Sequence, residues 1–109
     1  LVEEPFFQDC RHALSPDGVF VTNWWSGDKR YQRFVERLLN VFEGRVLELP
    51  AESHGNMAVM AFQSSPKEQN LDKLKKRAEK LSGQYGLDFK RMLNDLKANN
   101  PNNGKHFYL

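Results

Sequence analysis

The sequence predicts an α/β fold in which two parallel strands flank a third that returns antiparallel between them. Three observations predict it. Residues 19–25 (VFVTNWW), 45–49 (RVLEL) and 57–62 (MAVMAF) are short runs rich in β-branched, aromatic or other apolar residues, bounded by turn formers. The segment between the first two runs has apolar residues at helical spacing, so together they make a strand–helix–strand unit with a right-handed parallel crossover. The third run is wholly apolar and belongs inside a sheet, and only an antiparallel return from the second strand, inserting beside the first, puts it there. The spatial order is then first, third, second.

The elements follow in chain order. Glu3, Glu4 and Pro5 supply acidic first-turn residues and an early proline, after which Phe6, Phe7, Cys10, Ala13 and Leu14 recur at helical spacing. Ser15-Pro16-Asp17-Gly18 stops this helix, because proline cannot continue it and glycine accepts the angles of a tight turn. Residues 19–25 have almost no polar alternation, the pattern of a strand covered on both faces. Ser26-Gly27-Asp28 forms a loop and helix cap, and Tyr31, Phe34, Val35, Leu38, Leu39 and Phe42 then mark one helix face until Gly44 closes it. In residues 45–49, Glu48 is a polar element that an edge strand can expose.

The order leaves one edge of residues 19–25 bare, although that strand has the most buried composition of the three. Something upstream is expected to cover it, or a second copy of the chain in a homodimer, with folding of the 65–98 arm across the exposed face of a monomer as the alternative. An opening on Leu1, with an amphipathic segment in the first turns, likewise reads as a piece of something longer.

Residues 64–109 form a helical extension. Ser65-Pro66-Lys67-Glu68 has the form of a capping box with proline in the first turn, opening a helix with the narrow stripe Leu71, Leu74, Ala78 and Leu81. Gly83 and Gly86 interrupt it, a last helix carries Leu87, Phe89, Met92, Leu93 and Leu96, and the run from Asn99 to Gly104 ends regular structure before a short tail.

Charge divides the chain in the same place. Residues 1–63 carry 6 Lys/Arg against 9 Asp/Glu, and residues 64–109 carry 10 against 5, so a net +2 combines −3 with +5. The first part is therefore no nucleic-acid platform. In the extension, Lys73, Lys75, Lys76, Arg77 and Lys80 are interrupted by Asp72 and Glu79 and contain no aromatic residue, so a solvated helix face outweighs a nucleic-acid surface. No stretch approaches the roughly 20 apolar residues of a membrane helix. The single cysteine, Cys10, falls among packing positions, and a cytoplasmic protein is the expectation. No Cys, His and carboxylate cluster has metal-ligand spacing, so His12, His54 and His106 read as polar surface residues.

Two stretches carry a family resemblance. Leu1-Val2-Glu3-Glu4-Pro5-Phe6-Phe7, Cys10-Arg11 and Leu14-Ser15-Pro16-Asp17-Gly18-Val19 resemble the helix and strand that follow the catalytic loop in spermidine synthases, the polyamine aminopropyltransferases. Pro50-Ala51-Glu52-Ser53-His54-Gly55-Asn56 keeps the spacing of that family's Pro-Thr-Tyr-Pro-Ser-Gly loop. The resemblance covers residues 1–63 and implies the C-terminal portion of a Rossmann-like, methyltransferase-type sheet. It implies a parent enzyme that moves an aminopropyl group from decarboxylated S-adenosylmethionine to an amine in polyamine biosynthesis. Asn23 stands where those enzymes often have a Gln lining the polyamine pocket, and Glu52 where they usually have a Tyr packing along the diamine, which leaves the identity of the amine open.

In parallel α/β sheets ligands bind beyond the carboxyl ends of the strands, where Asn23, Trp24, Trp25 and Ser26 leave the first strand. With the resemblance, Asn23, Trp24, Trp25, Glu52, Ser53 and His54 become candidate acceptor-binding residues: Glu52 can pair with an ammonium and the Trp rings can cover an alkyl chain. The competing reading makes one Trp core and Glu52 a solvated turn residue. No Gly-x-Gly occurs among the 109 residues, so no nucleotide-binding turn is assigned to them, and the resemblance implies that the family's Asp-x-x-Asp catalytic loop lies just before Leu1, so no catalytic residue is assigned either. The rival function is a non-catalytic synthase-like module that binds a protein or nucleic acid.

Overall fold

The computed structural model describes residues 3–51 and 55–109. They form two compact units, Leu1–Pro66 with Leu109, and Lys67–Tyr108. The first unit contains α1 (Glu4–Ala13), β1 (Val19–Trp25), α2 (Tyr31–Val41), β2 (Val46–Pro50) and β3 (Asn56–Phe62), and the second contains α3 (Leu71–Tyr85) and α4 (Phe89–Asn99).

The sheet has the order β1-β3-β2, with β3 antiparallel to both neighbours. β1 and β2 therefore run the same way, and the inserted third strand is as predicted. The turn before β1 is closed by the Gly18 N–H donating to the Ser15 carbonyl at 2.9 Å.

The core lies on one face of this sheet. Phe7, Phe34, Val35, Leu38, Val41, Phe42, Val46, Val59 and Ala61 form one buried cluster, against which Phe20, Trp24 and Met57 pack from the strands. Aromatic rings tie the elements together: Phe7 meets Phe34 edge-on at 5.5 Å, and Phe20 lies parallel to Phe42 at 6.3 Å. The register places Phe20, Thr22 and Trp24 opposite Ala61, Val59 and Met57.

Several local expectations are corrected. β1 is not covered on both faces within this unit: Val19, Val21, Asn23 and Trp25 are exposed, while Phe20, Thr22 and Trp24 are half-buried. Strand side chains alternate, so an all-apolar run still divides between two environments when the packing helices lie on one side. Leu39, expected on the buried face of α2, is 38% exposed, whereas Leu38 beside it is 0% exposed. Glu48, expected as an exposed edge residue, is half-buried and accepts a hydrogen bond from the Tyr31 hydroxyl.

α2 ends with two consecutive left-handed residues, Glu43 (φ 55°) and Gly44 (φ 84°), so Gly44 takes the second position after the cap and Glu43 the first. The Gly44 N–H donates to the Leu39 carbonyl at 2.9 Å, the long bond of a Schellman closure. A left-handed glutamate is unusual. Here its carboxylate is held by Arg11 at 3.0 Å and Arg45 at 3.2 Å.

In the second unit α3 begins later than the Ser65–Glu68 pattern predicts. Asn70 caps it, its side chain accepting from the Lys73 N–H at 3.1 Å, while Glu68 accepts from the Asn70 N–H at 2.8 Å. Asparagine is among the best N-caps, and here it displaces the upstream box. Gly83 lies within α3 and does not interrupt it; the left-handed Gly86 (φ 69°) ends it. The tail is not free of pairing either, since Asn70 bridges His106, Asn102 bridges Phe107, and Phe107 is buried.

Candidate functional site

Strand ends assemble the site region. β1 ends at Trp25 and β2 at Pro50, and β3 starts at Asn56. The register sets Trp25 opposite Asn56 and Pro50 opposite Met57, so the β1–α2 turn and the β2–β3 connection meet at one end of the sheet. The Ala51 N–H donates to the Asn56 carbonyl at 2.9 Å, holding the base of that connection. Glu52, Ser53 and His54 lie outside the described residues.

The three candidates on β1 divide between the two faces. Asn23 and Trp25 are exposed on the face without α1 and α2, and Trp25 is 57% exposed. Trp24 turns inward and stacks on Phe34, with ring centroids 4.3 Å apart and planes 9° from parallel. The Arg30 guanidinium stands 5.9 Å from the Trp24 ring centroid. Trp24 is thus a core aromatic with a cationic neighbour, and its buried Nε1–H has no partner among the described residues.

A close contact joins the two connections. The Ser26 N–H and hydroxyl both donate to the Gly55 carbonyl, each at 2.8 Å. The Trp25 indole lies against Gly27 and Gly55. This contact follows from the register, since the step beyond Trp25 and Asn56 is Ser26 and Gly55. Counting out from an assumed antiparallel pairing would have found it.

Two further polar pairs sit nearby. Arg30 donates from Nε and Nη2 to the two Asp28 oxygens at 3.0 and 2.8 Å, and the Arg30 N–H donates to the same carboxylate at 2.8 Å. These bonds, the side-chain ones foremost, lower the Asp28 carboxyl to about 2, and the same partner raises Arg30. Partial burial and then the Glu48 carboxylate raise the Tyr31 phenol. Asp28 and Glu48 are both engaged by protein groups, and sequence pattern alone did not single out either pair. What faces solvent together at this end is a carboxamide, Asn23, and an indole, Trp25, a pair that can hydrogen-bond an amine and cover an alkyl chain.

In the second unit Lys73, Lys76, Arg77 and Lys80 line a groove on α3 together with Leu74 and Leu81. All four cations are exposed, in keeping with a solvated face. Among the described residues no three His, Cys, Asp or Glu side chains are grouped to hold a metal ion. No described helix is long and apolar enough to cross a membrane.

Comparison with known proteins places this geometry in context. No family model matches the chain, and no solved structure matches it. Curated relatives do. All 109 residues align at 85% identity with polyamine aminopropyltransferases of Neisseria meningitidis serogroups A and B, and at 60% with that of Chromobacterium violaceum. The chain spans 41% of the length of the two Neisseria proteins and 42% of the Chromobacterium one. The resemblance read from residues 1–63 is therefore borne out and continues through residues 64–109: over its whole length this chain is similar in sequence to polyamine aminopropyltransferases.

Proposed function

We propose that this chain is the carboxy-terminal portion of a spermidine-synthase-like transferase, one that moves an aminopropyl group from decarboxylated S-adenosylmethionine to an amine. The observation that carries the reading is the 85% identity over every residue to curated proteins of that name. In the reaction an amine nitrogen attacks the carbon bound to the sulfonium, the carbon–sulfur bond breaks to leave a thioether, and the nitrogen gives up a proton.

The described residues supply the closing part of a Rossmann-like sheet and one wall of the amine site, built on Asn23 and Trp25 with the connection that carries Glu52, Ser53 and His54. The parallel direction of β1 and β2 and the meeting of their ends with the β2–β3 connection support this placement. Trp24 contributes by packing beneath that wall. These 109 residues hold no Gly-x-Gly, which assigns the donor site to the remainder of the parent protein, and the resemblance to spermidine synthases assigns the proton acceptor to an Asp-x-x-Asp loop there as well.

The test is transfer by the full-length protein. Incubated with decarboxylated S-adenosylmethionine and a panel of aliphatic diamines, it is expected to yield the acceptor extended by one aminopropyl group, detected by mass spectrometry. No extension of any amine in the panel refutes the reading.

A further inference from the structure

At the end of β1 a large aromatic ring lies across two glycines. A Cβ on Gly27 would fall 2.6 Å from Cζ2 and 2.7 Å from Cε2 of Trp25, distances no real side chain adopts. A Cβ on Gly55 would fall 3.2 Å from the indole Nε1, and Gly55 also has a left-handed backbone (φ 71°) that glycine adopts without cost. The benzo edge of the indole thus rests on the β1–α2 turn and its pyrrole edge on the end of the β2–β3 connection. Ser26 closes the arrangement, its N–H and hydroxyl converging on one acceptor, the Gly55 carbonyl, at 2.8 Å.

A tryptophan that is 57% exposed would ordinarily sample several rotamers. Here both loops leave room for it by omitting a side chain, and a serine ties them together beside it. We propose that Ser26, Gly27 and Gly55 are positioning residues for amine binding, clasping the two loops so that Trp25 presents one fixed ring face to the alkylammonium acceptor. This rests on the aminopropyl-transfer reading above. Trp25 and Asn23 touch the acceptor; the clasp residues act through Trp25 and through the base of the β2–β3 connection. A ring already held in place binds without a further ordering cost, so the clasp acts on acceptor affinity ahead of the chemical step.

The experiment uses the full-length protein with Ser26→Ala, Ser26→Thr and Gly27→Ala. Steady-state kinetics with a diamine acceptor and hydrogen exchange at the Ser26 and Ala51 amides are read on each. Ser26→Ala is expected to raise the acceptor KM about threefold to tenfold, the range of one net hydrogen bond, with kcat held within about twofold. Ser26→Thr, which keeps the hydroxyl, restores KM. Gly27→Ala raises KM and shifts tryptophan emission as the ring is displaced. Ser26 is exposed, so its substitution leaves the core untouched and reads the clasp even where Gly27→Ala fails to fold.

An acceptor KM unchanged in Ser26→Ala, or equal losses in Ser26→Ala and Ser26→Thr, overturns the proposal. If the unaltered protein transfers no aminopropyl group, the functional reading fails and takes the acceptor role with it. Faster exchange in Ser26→Ala then still registers the clasp as a physical feature, which separates the two failures.

Discussion

Replacing Arg11 with alanine removes the side chain that joins α1 to the far ends of α2 and β3. Its Nη1 donates to the carbonyl of Val41, the last residue of α2, at 2.5 Å, and its Nε donates to Gln63 Oε1 at 2.9 Å. Gln63 returns a bond from Nε2 to the Arg11 carbonyl at 2.8 Å. The third contact, Nη2 to Glu43 at 3.0 Å, is to a carboxylate 64% exposed. A hydrogen bond from a charged donor contributes about 1.5–3 kcal/mol, while an exposed ion pair contributes at most about 1 kcal/mol. The Arg11 side chain is itself 25% exposed, so water reaches part of the vacated space and the full sum is not lost. The net expectation for Arg11→Ala is a destabilisation of about 2–4 kcal/mol, dominated by Val41 and Gln63. Urea denaturation should show the midpoint falling by about 1 M or more. Arg11→Lys should recover less than half of this, because an ammonium cannot reach three separated acceptors as a guanidinium fork does. Glu43→Gln should move the urea midpoint far less than Arg11→Ala does, because its carboxylate is solvent-exposed and its ion pairs are screened. A loss below about 0.5 kcal/mol in Arg11→Ala, or a larger loss in Glu43→Gln, refutes the assignment of weight to the buried end of this network.

Leu38→Ala should cost about 3–5 kcal/mol and its neighbour Leu39→Ala less than about 1 kcal/mol, since the first is fully buried and the second 38% exposed; equal losses in denaturation would contradict the face assigned to α2. The Asp28 carboxyl, followed by NMR, should titrate at about 2 and return toward the ordinary value near 3.9 in Arg30→Gln. Because its folded pKa is depressed, its contribution to stability is fully present above the ordinary carboxylate value and is lost as pH falls toward about 2; an Asp28 that titrates normally removes the linkage. Among the described residues β1 has β3 on one side and no strand on the other, and its exposed Val19, Val21 and Trp25 invite pairing. Sedimentation of the isolated chain should therefore show concentration-dependent self-association, and a strictly monomeric species at high concentration counts against a second copy as the cover.

The sequence by itself determined the three strands, the helix between the first two, and the order that places the last strand in the middle. These rest on local signals: breakers such as Pro16 and Gly18 bound the first strand, helical spacing marks α2, and residues 57–62 contain nothing polar to expose. The resemblance to aminopropyltransferases was legible for a related reason, because turn residues such as Pro16, Gly18, Pro50 and Gly55 hold fixed positions around those strands. Tertiary structure alone decided which face each side chain occupies. A run such as VFVTNWW has almost no polar alternation to show its inner side, so only the packing of α1 and α2 sends Trp24 into the core and leaves Asn23 and Trp25 on the candidate wall. Pairing decided the rest. Tyr31 meets Glu48, Arg11 meets Val41, and Ser26 meets Gly55 across 17 to 30 residues, contacts that exist only once the register is set. The choice of Asn70 over Ser65 as the cap of α3 was likewise a competition between two acceptable local patterns. Propensity ranks such sites only weakly, and the hydrogen bonds made in the folded chain break the tie.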